Sequence, residues 1–198
     1  KTMLINLISE KLASPGNNLA INLVVAVFPI LLAGFFLRDS IDLKLRNSEV
    51  IAYATILFGL LLYLAQLNKG KEDVDFLSLP RAFVIGLFQC LALIPGTSRS
   101  GITITAGLFL GLSATAASRF SFLLAIPTIG AIVLVELVRF SFLDLSQNGI
   151  ELLISITISF LVAYISIDLF LRLIERIGFT PFVIYRLLLG GWLLLYWT

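Results

Sequence analysis

Five apolar runs in this chain have the length of a bilayer crossing: residues 19–37, 50–67, 120–138, 150–171 and 181–197. A hydrocarbon core of about 30 Å takes roughly 20 residues as a helix, whereas stretches of about 10–14 more often enter and return or lie at the interface. With 59% hydrophobic residues, 13% charged and a mean hydropathy of +1.05, the chain has too little polar surface to cover a water-soluble globule of its size. The reading is an all-α, polytopic membrane protein.

No linker or shift in composition divides the sequence, so residues 1–198 read as a single membrane domain. Within 1–18, residues Met3, Leu4, Leu7, Ile8 and Leu12 share one face, as in an amphipathic helix on the membrane surface or the end of a truncated span. The connections 38–49 and 68–81 flank the span 50–67 and carry three Lys/Arg each, so the positive-inside rule gives no orientation. A net charge of +2 with scattered basic residues excludes a nucleic-acid interface. The lone cysteine, Cys90, excludes an internal disulfide and a multi-cysteine metal site, and the absence of histidine removes the commonest acid–base group. No secretory signal pattern opens the chain. It starts Lys1-Thr2 rather than with methionine, and a fragment is expected.

Two apolar stretches are too short to cross. Residues 82–94 and 102–112 would reach only about 16–20 Å each as helices. Between them lies Pro95-Gly96, where proline removes a backbone donor and glycine permits a turn. Either 82–112 forms a re-entrant helix hairpin, or it is one long span broken in its middle.

The break itself, "ALIPGTSRSGITI" at 92–104, carries an arginine and four hydroxyls. Non-helical backbone at membrane depth requires protein or a polar cavity around it, and a charge there costs about 2.5–3.5 kcal/mol on insertion scales. Arg99 therefore asks for an anion. A helix restarting after Gly101 would offer unpaired N–H groups and a partial positive charge, and with the guanidinium and hydroxyls this makes a phosphate site. The bland alternative is that Ser98 or Ser100 only caps the helix while Arg99 snorkels to an interface.

Other polar residues are less specific. Gln89 reaches either the cavity or a neighbouring helix, and Cys90 reads as a small buried apolar residue. Arg119 is a second cavity charge or an interface anchor. Asp168–Arg172 and Glu136–Arg139 have the spacing of helix ion pairs. Arg186, deep in the last span, needs a partner; Trp192, Tyr196 and Trp197 form an aromatic belt.

The run "RAFVIGLFQCLALIPGTSRSGITITAGLFLGLS", with "SRFSFLLAIP" after it and "PFVIYR" at 181–186, resembles the bacterial undecaprenyl-diphosphate phosphatases, the bacitracin-resistance protein family. The resemblance extends from the span 19–37 to the C-terminus, and its most specific part is Q-C-L-A-L-x-P-G-x-S-R-S-G. It implies two inverted repeats, each with a re-entrant hairpin, of which this chain holds the second. It implies an enzyme that removes the terminal phosphate of undecaprenyl diphosphate at the outer side of the bacterial cytoplasmic membrane, supported by Mg²⁺ or Ca²⁺. Arg99 would be the phosphate-binding arginine and Ser98 and Ser100 the motif serines. Gly96, Thr97, Gly101, Thr103 and Gln89 would contact substrate.

The family's first motif, paired glutamates followed by Pro-x-Ser-Ser-Thr-Gly-His, has no counterpart here. The expectation is an N-terminally truncated copy, inactive alone, with the metal ligands, nucleophile and base in the absent repeat. No residue of this chain is assigned to a metal. The expected partners are a polyprenyl diphosphate and the membrane, with a homodimer as a candidate assembly. The rival reading is a lipid-phosphate transporter or flippase, since broken helices aimed at an anion also build carrier sites.

Overall fold

The structure, a computed structural model, describes residues 19–68, 70–139 and 142–197, with 38–44, 136–139 and 142–148 as backbone only. The amphipathic segment within 1–18 and the Glu136–Arg139 pair lie outside the described residues. Among the described residues seven α-helices follow one another: α1 Leu19–Lys44, α2 Ser48–Leu67, α3 Leu79–Cys90, α4 Arg99–Phe109, α5 Ala114–Arg139, α6 Phe142–Ile177 and α7 Thr180–Tyr196. Among the described residues there is no strand, only an isolated bridge between Glu72 and Leu112. Stretches long and apolar enough to cross a membrane occur at Leu19–Leu37, Ser48–Leu67, Ala114–Val135 and Gly149–Ile177. The architecture is all-α and polytopic. The apolar helix α7 is shorter, at 17 residues.

The short helices α3 and α4 fold back side by side rather than running on as one interrupted rod. Helix α3 has proline in its first turn and tightens into a 3₁₀ turn at Leu91–Leu93. Ile94, which precedes Pro95, is extended, as the proline ring demands of its neighbour. Helix α4 ends with Gly111 at φ +93°, where Gly111 N–H bonds Leu108 C=O and Leu112 N–H bonds Gly107 C=O. That double bond with a left-handed glycine is a Schellman stop. The open end of the hairpin is then pinned. Asn68 Nδ2 donates to Leu108 C=O at 3.1 Å, Glu72 N–H to Gly111 C=O at 3.2 Å, and Ser113 N–H to Glu72 C=O at 2.9 Å.

At its other end the hairpin reaches Ile51 and Thr55 of α2. These lie three and seven residues from the start of α2, about 5 and 10 Å along its axis. The turn therefore sits near the face where Ser48 Oγ donates to Trp197 C=O at 2.7 Å. Trp192 and Tyr196, with ring centroids 5.8 Å apart, are exposed toward that same end of α7.

Without a hydrophobic gain between helices in lipid, close packing and interhelical hydrogen bonds hold a bundle together. Small residues supply the packing. Gly86 of α3 rests against the backbone of Ala26 in α1, and Gly190 of α7 against Ala52 and Ile56 of α2. Buried polar pairs supply the bonds, as where Asn22 Nδ2 donates to Leu77 C=O at 2.7 Å. Asp168 and Arg172 form the expected ion pair at 2.8 Å. Residues 149–163 of α6 are exposed throughout, an apolar surface that none of the other described elements covers.

Candidate functional site

Helix α4 begins at Arg99, not after Gly101, because Ser98 is its N-cap. Ser98 Oγ accepts the N–H of Gly101 at 3.2 Å, so that donor is spent on the cap. The N–H groups left without intrahelical partners in this first turn are those of Arg99 and Ser100. Ser98 holds φ +65°, and it is the one described non-glycine residue at positive φ. Such backbone costs of order 1–3 kcal/mol and persists where its surroundings over-determine it.

Those surroundings are visible. Gly96, at φ +93°, lies against the α2 backbone with no room for a Cβ. Its carbonyl accepts from Thr55 Oγ1 at 3.3 Å and from Arg186 Nη2 at 2.7 Å. Arg186 Nε donates in turn to Thr55 C=O at 3.2 Å. Arg186 thus finds its partners in backbone carbonyls. Its Nη1 lies 3.3 Å from where a Cβ on Gly101 would stand, beside the start of α4.

Arg99 is half-buried and makes one long bond, Nη1 to Ala125 C=O at 3.5 Å. Arg186 thus stands beside the positive end of α4, whose first turn carries Arg99, and no carboxylate among the described residues pairs with either arginine, an arrangement suited to an anion with several oxygens. Ser98 is exposed there, and Ser100 is half-buried. Thr97 is fully buried, and its Oγ1 has no hydrogen-bond partner.

Thr103 and Gln89 are tied to neighbouring helices. Thr103 Oγ1 is 2.7 Å from Ser121 Oγ of α5 and also donates to the carbonyls of Arg99 and Ser100. Gln89, also buried, donates to Ala26 C=O of α1 at 3.4 Å and accepts from Thr128 Oγ1 of α5 at 3.3 Å. Both are bonds between helices. Arg119 sits two residues before Ser121, on a different face of α5 from the one that meets α4. Its Nε is buried without a hydrogen-bond partner. Cys90 is half-buried, and its thiol bonds Gly86 C=O within the helix.

Arg186 joins the site although sequence reasoning assigned it no role there. The one available signal was a charge inside an apolar span, which implies a polar partner without saying which. Two hollows, of about 560 and 200 Å³, open away from the turn. One is lined by Lys71, Glu72, Phe76, Ser78 and Arg81, the other by residues that include Gln66, Asn68 and Phe179. In the first, Glu72 and Arg81 are already ion-paired.

Curated proteins are similar to this chain over most of its length. The chain is 48% identical over 178 residues to undecaprenyl-diphosphatase 1 of Pseudoalteromonas translucida, an alignment that covers 89% of this chain and 66% of the relative. It is 46% identical to the undecaprenyl-diphosphatase of Hahella chejuensis, covering 93% and 69%, and 44% identical to that of Marinobacter nauticus, covering 95% and 71%. The chain thus spans about two thirds of the length of these relatives. Residues 1–192 match the family described as bacitracin resistance protein BacA. With the match running through every element that builds the hairpin and its arginines, the chain belongs to the bacitracin resistance protein BacA family.

Proposed function

We propose that the protein is an undecaprenyl-diphosphate phosphatase of the bacterial cytoplasmic membrane. The observation that carries the reading is the uncompensated positive site at the hairpin tip: Arg99, Arg186 and the free N–H groups of Arg99 and Ser100. The names of the relatives support the choice of a lipid diphosphate as its anion.

In the reaction an oxygen nucleophile bonds to the terminal phosphorus and the bond from that phosphorus to the bridging oxygen breaks. The bridging oxygen leaves with the lipid monophosphate; water then bonds the same phosphorus as its bond to the nucleophile's oxygen breaks, so that inorganic phosphate is released and the hydroxyl regains its proton. Charge spreads over the phosphoryl oxygens, so positioned donors supply most of the catalysis. Arg99 offers a planar pair of donors, and the start of α4 adds backbone donors that need no reorganisation. Ser98 Oγ is engaged as a cap, and no described carboxylate bonds Ser98 or Ser100. The attacking hydroxyl and its base are therefore proposed to come from outside the described residues.

A Mg²⁺ or Ca²⁺ requirement belongs to the proposal only through the resemblance. Among the described residues no three His, Cys, Asp or Glu side chains converge, so these residues do not fit such a site, and no step is routed through a metal. A homodimer belongs to the same proposal only as a candidate assembly. The test is phosphate release from undecaprenyl diphosphate by the full-length protein in nanodiscs. Wild type should release phosphate and Arg99→Ala should lose that activity while remaining folded; hydrolysis retained in the variant would remove the site from the reaction.

A further inference from the structure

We infer that Arg186 is a positioning residue, which locks the hairpin tip in the one conformation that presents the start of α4 to phosphate. The inference rests on the proposed phosphatase reading for its kinetic consequence, but not for its geometry. Two of the three guanidinium nitrogens bond two carbonyls on different elements, Nε to Thr55 on α2 and Nη2 to Gly96 in the turn. A planar fork holds both with two fixed donors, whereas a lysine ammonium is a single point on a flexible stem. The carbonyl of Gly96 is half-buried against α2, and Arg186 and Thr55 are its donors.

The turn so held carries the strained residue, Ser98. Gly96 at φ +93° and Ser98 at φ +65° lie two residues apart, and Ser98 caps the helix whose first turn carries Arg99. Without the tie from α7 the turn is free to relax, and Arg99 and its neighbouring N–H groups shift with it. Arg186 reaches across α2 at Gly59, where an added Cβ would stand 3.2 Å from the Arg186 Cβ. Helix α7 therefore sets the geometry of a turn that lies 90 residues earlier in the chain.

The experiment uses Arg186→Lys in the full-length protein in nanodiscs, with two readouts taken well below the melting temperature. One is amide hydrogen exchange over 94–101 against that of α2. The other is kcat and KM for undecaprenyl diphosphate. Exchange should rise in 94–101 and not in α2. The value of kcat should fall on the order of a hundredfold, as a displacement of about 1 Å can cause, while KM moves far less. Unchanged exchange and unchanged kcat in the folded variant overturn the inference, and so does exchange that rises evenly across the protein. If wild type itself releases no phosphate, the phosphatase reading fails and the exchange data alone decide whether the clamp exists. Should Arg186→Lys fail to fold, Gly59→Ala displaces the same stem while keeping its charge; unaltered exchange and kcat there count equally against the inference.

Discussion

A Cβ placed on Gly96 would run into the main-chain carbonyl of Ile51, so the hairpin tip lies directly on the backbone of α2. The same glycine holds φ +93°. Gly96→Ala therefore meets two penalties, about 1–2 kcal/mol for the left-handed backbone and the cost of displacing the turn from α2. We expect a lower melting temperature together with loss of phosphate release. An unchanged melting temperature would mean that the turn does not sit on α2.

Arg99 separates stability from activity. Its one bond to the rest of the protein is the 3.5 Å contact with Ala125 C=O, so the fold loses little when the side chain is removed. What is lost is the pair of donors proposed to hold the diphosphate. Arg99→Lys keeps the charge but not the planar two-point contact. One missing hydrogen bond to a charged group is worth about 1.5–3 kcal/mol. We therefore expect kcat/KM to drop roughly ten- to a hundredfold with Lys and further with Ala, at nearly constant melting temperature. A lysine variant as active as wild type would argue against bidentate binding.

Ser121 tests the opposite case, a polar residue near the motif that serves packing. Its bond to Thr103 joins α4 to α5, but Thr103 has the carbonyls of Arg99 and Ser100 as further acceptors. Ser121→Ala should therefore cost only about 0.6 kcal/mol, the mean for interhelical hydrogen bonds in a membrane bundle. Hydrolysis per folded molecule should be unaffected. A large loss of kcat would instead place Thr103 against the substrate.

The long helices were legible because lipid imposes one rule, an apolar run of a fixed length, and the sequence at 19–37, 50–67 and 150–171 obeys it. The two halves of the hairpin were legible from Pro95-Gly96. Their edges were not. Ser98-Arg99-Ser100 looks like the break, but a serine cap needs only one residue outside the helix, and α4 absorbs Arg99 and Ser100. The interhelical partners of Gln89 and Thr103 were not legible either. Helical rotation turns these side chains toward α1 and α5, and nothing in the spacing fixes which face meets which neighbour. Arg186 shows the reverse. Its 90-residue separation from Gly96 hides a contact that only the packing of α7 on α2 creates.

Ser98 gives the sharpest separation of strain from capping. Replacing a serine cap by alanine costs about 0.5–2 kcal/mol and by glycine only a few tenths. Alanine also keeps the penalty of φ +65°, whereas glycine occupies that region freely. Ser98→Ala should therefore be clearly less stable than wild type, while Ser98→Gly should match or exceed it, because the relieved strain is of order 1–3 kcal/mol. If the strained turn serves to aim Arg99, the glycine variant should still lose kcat despite its stability, since a freed backbone no longer fixes the start of α4. Thermal unfolding and phosphate release measured on the same preparations check both halves. A glycine variant less stable than the alanine one would show that Ser98 does not hold positive φ in the membrane.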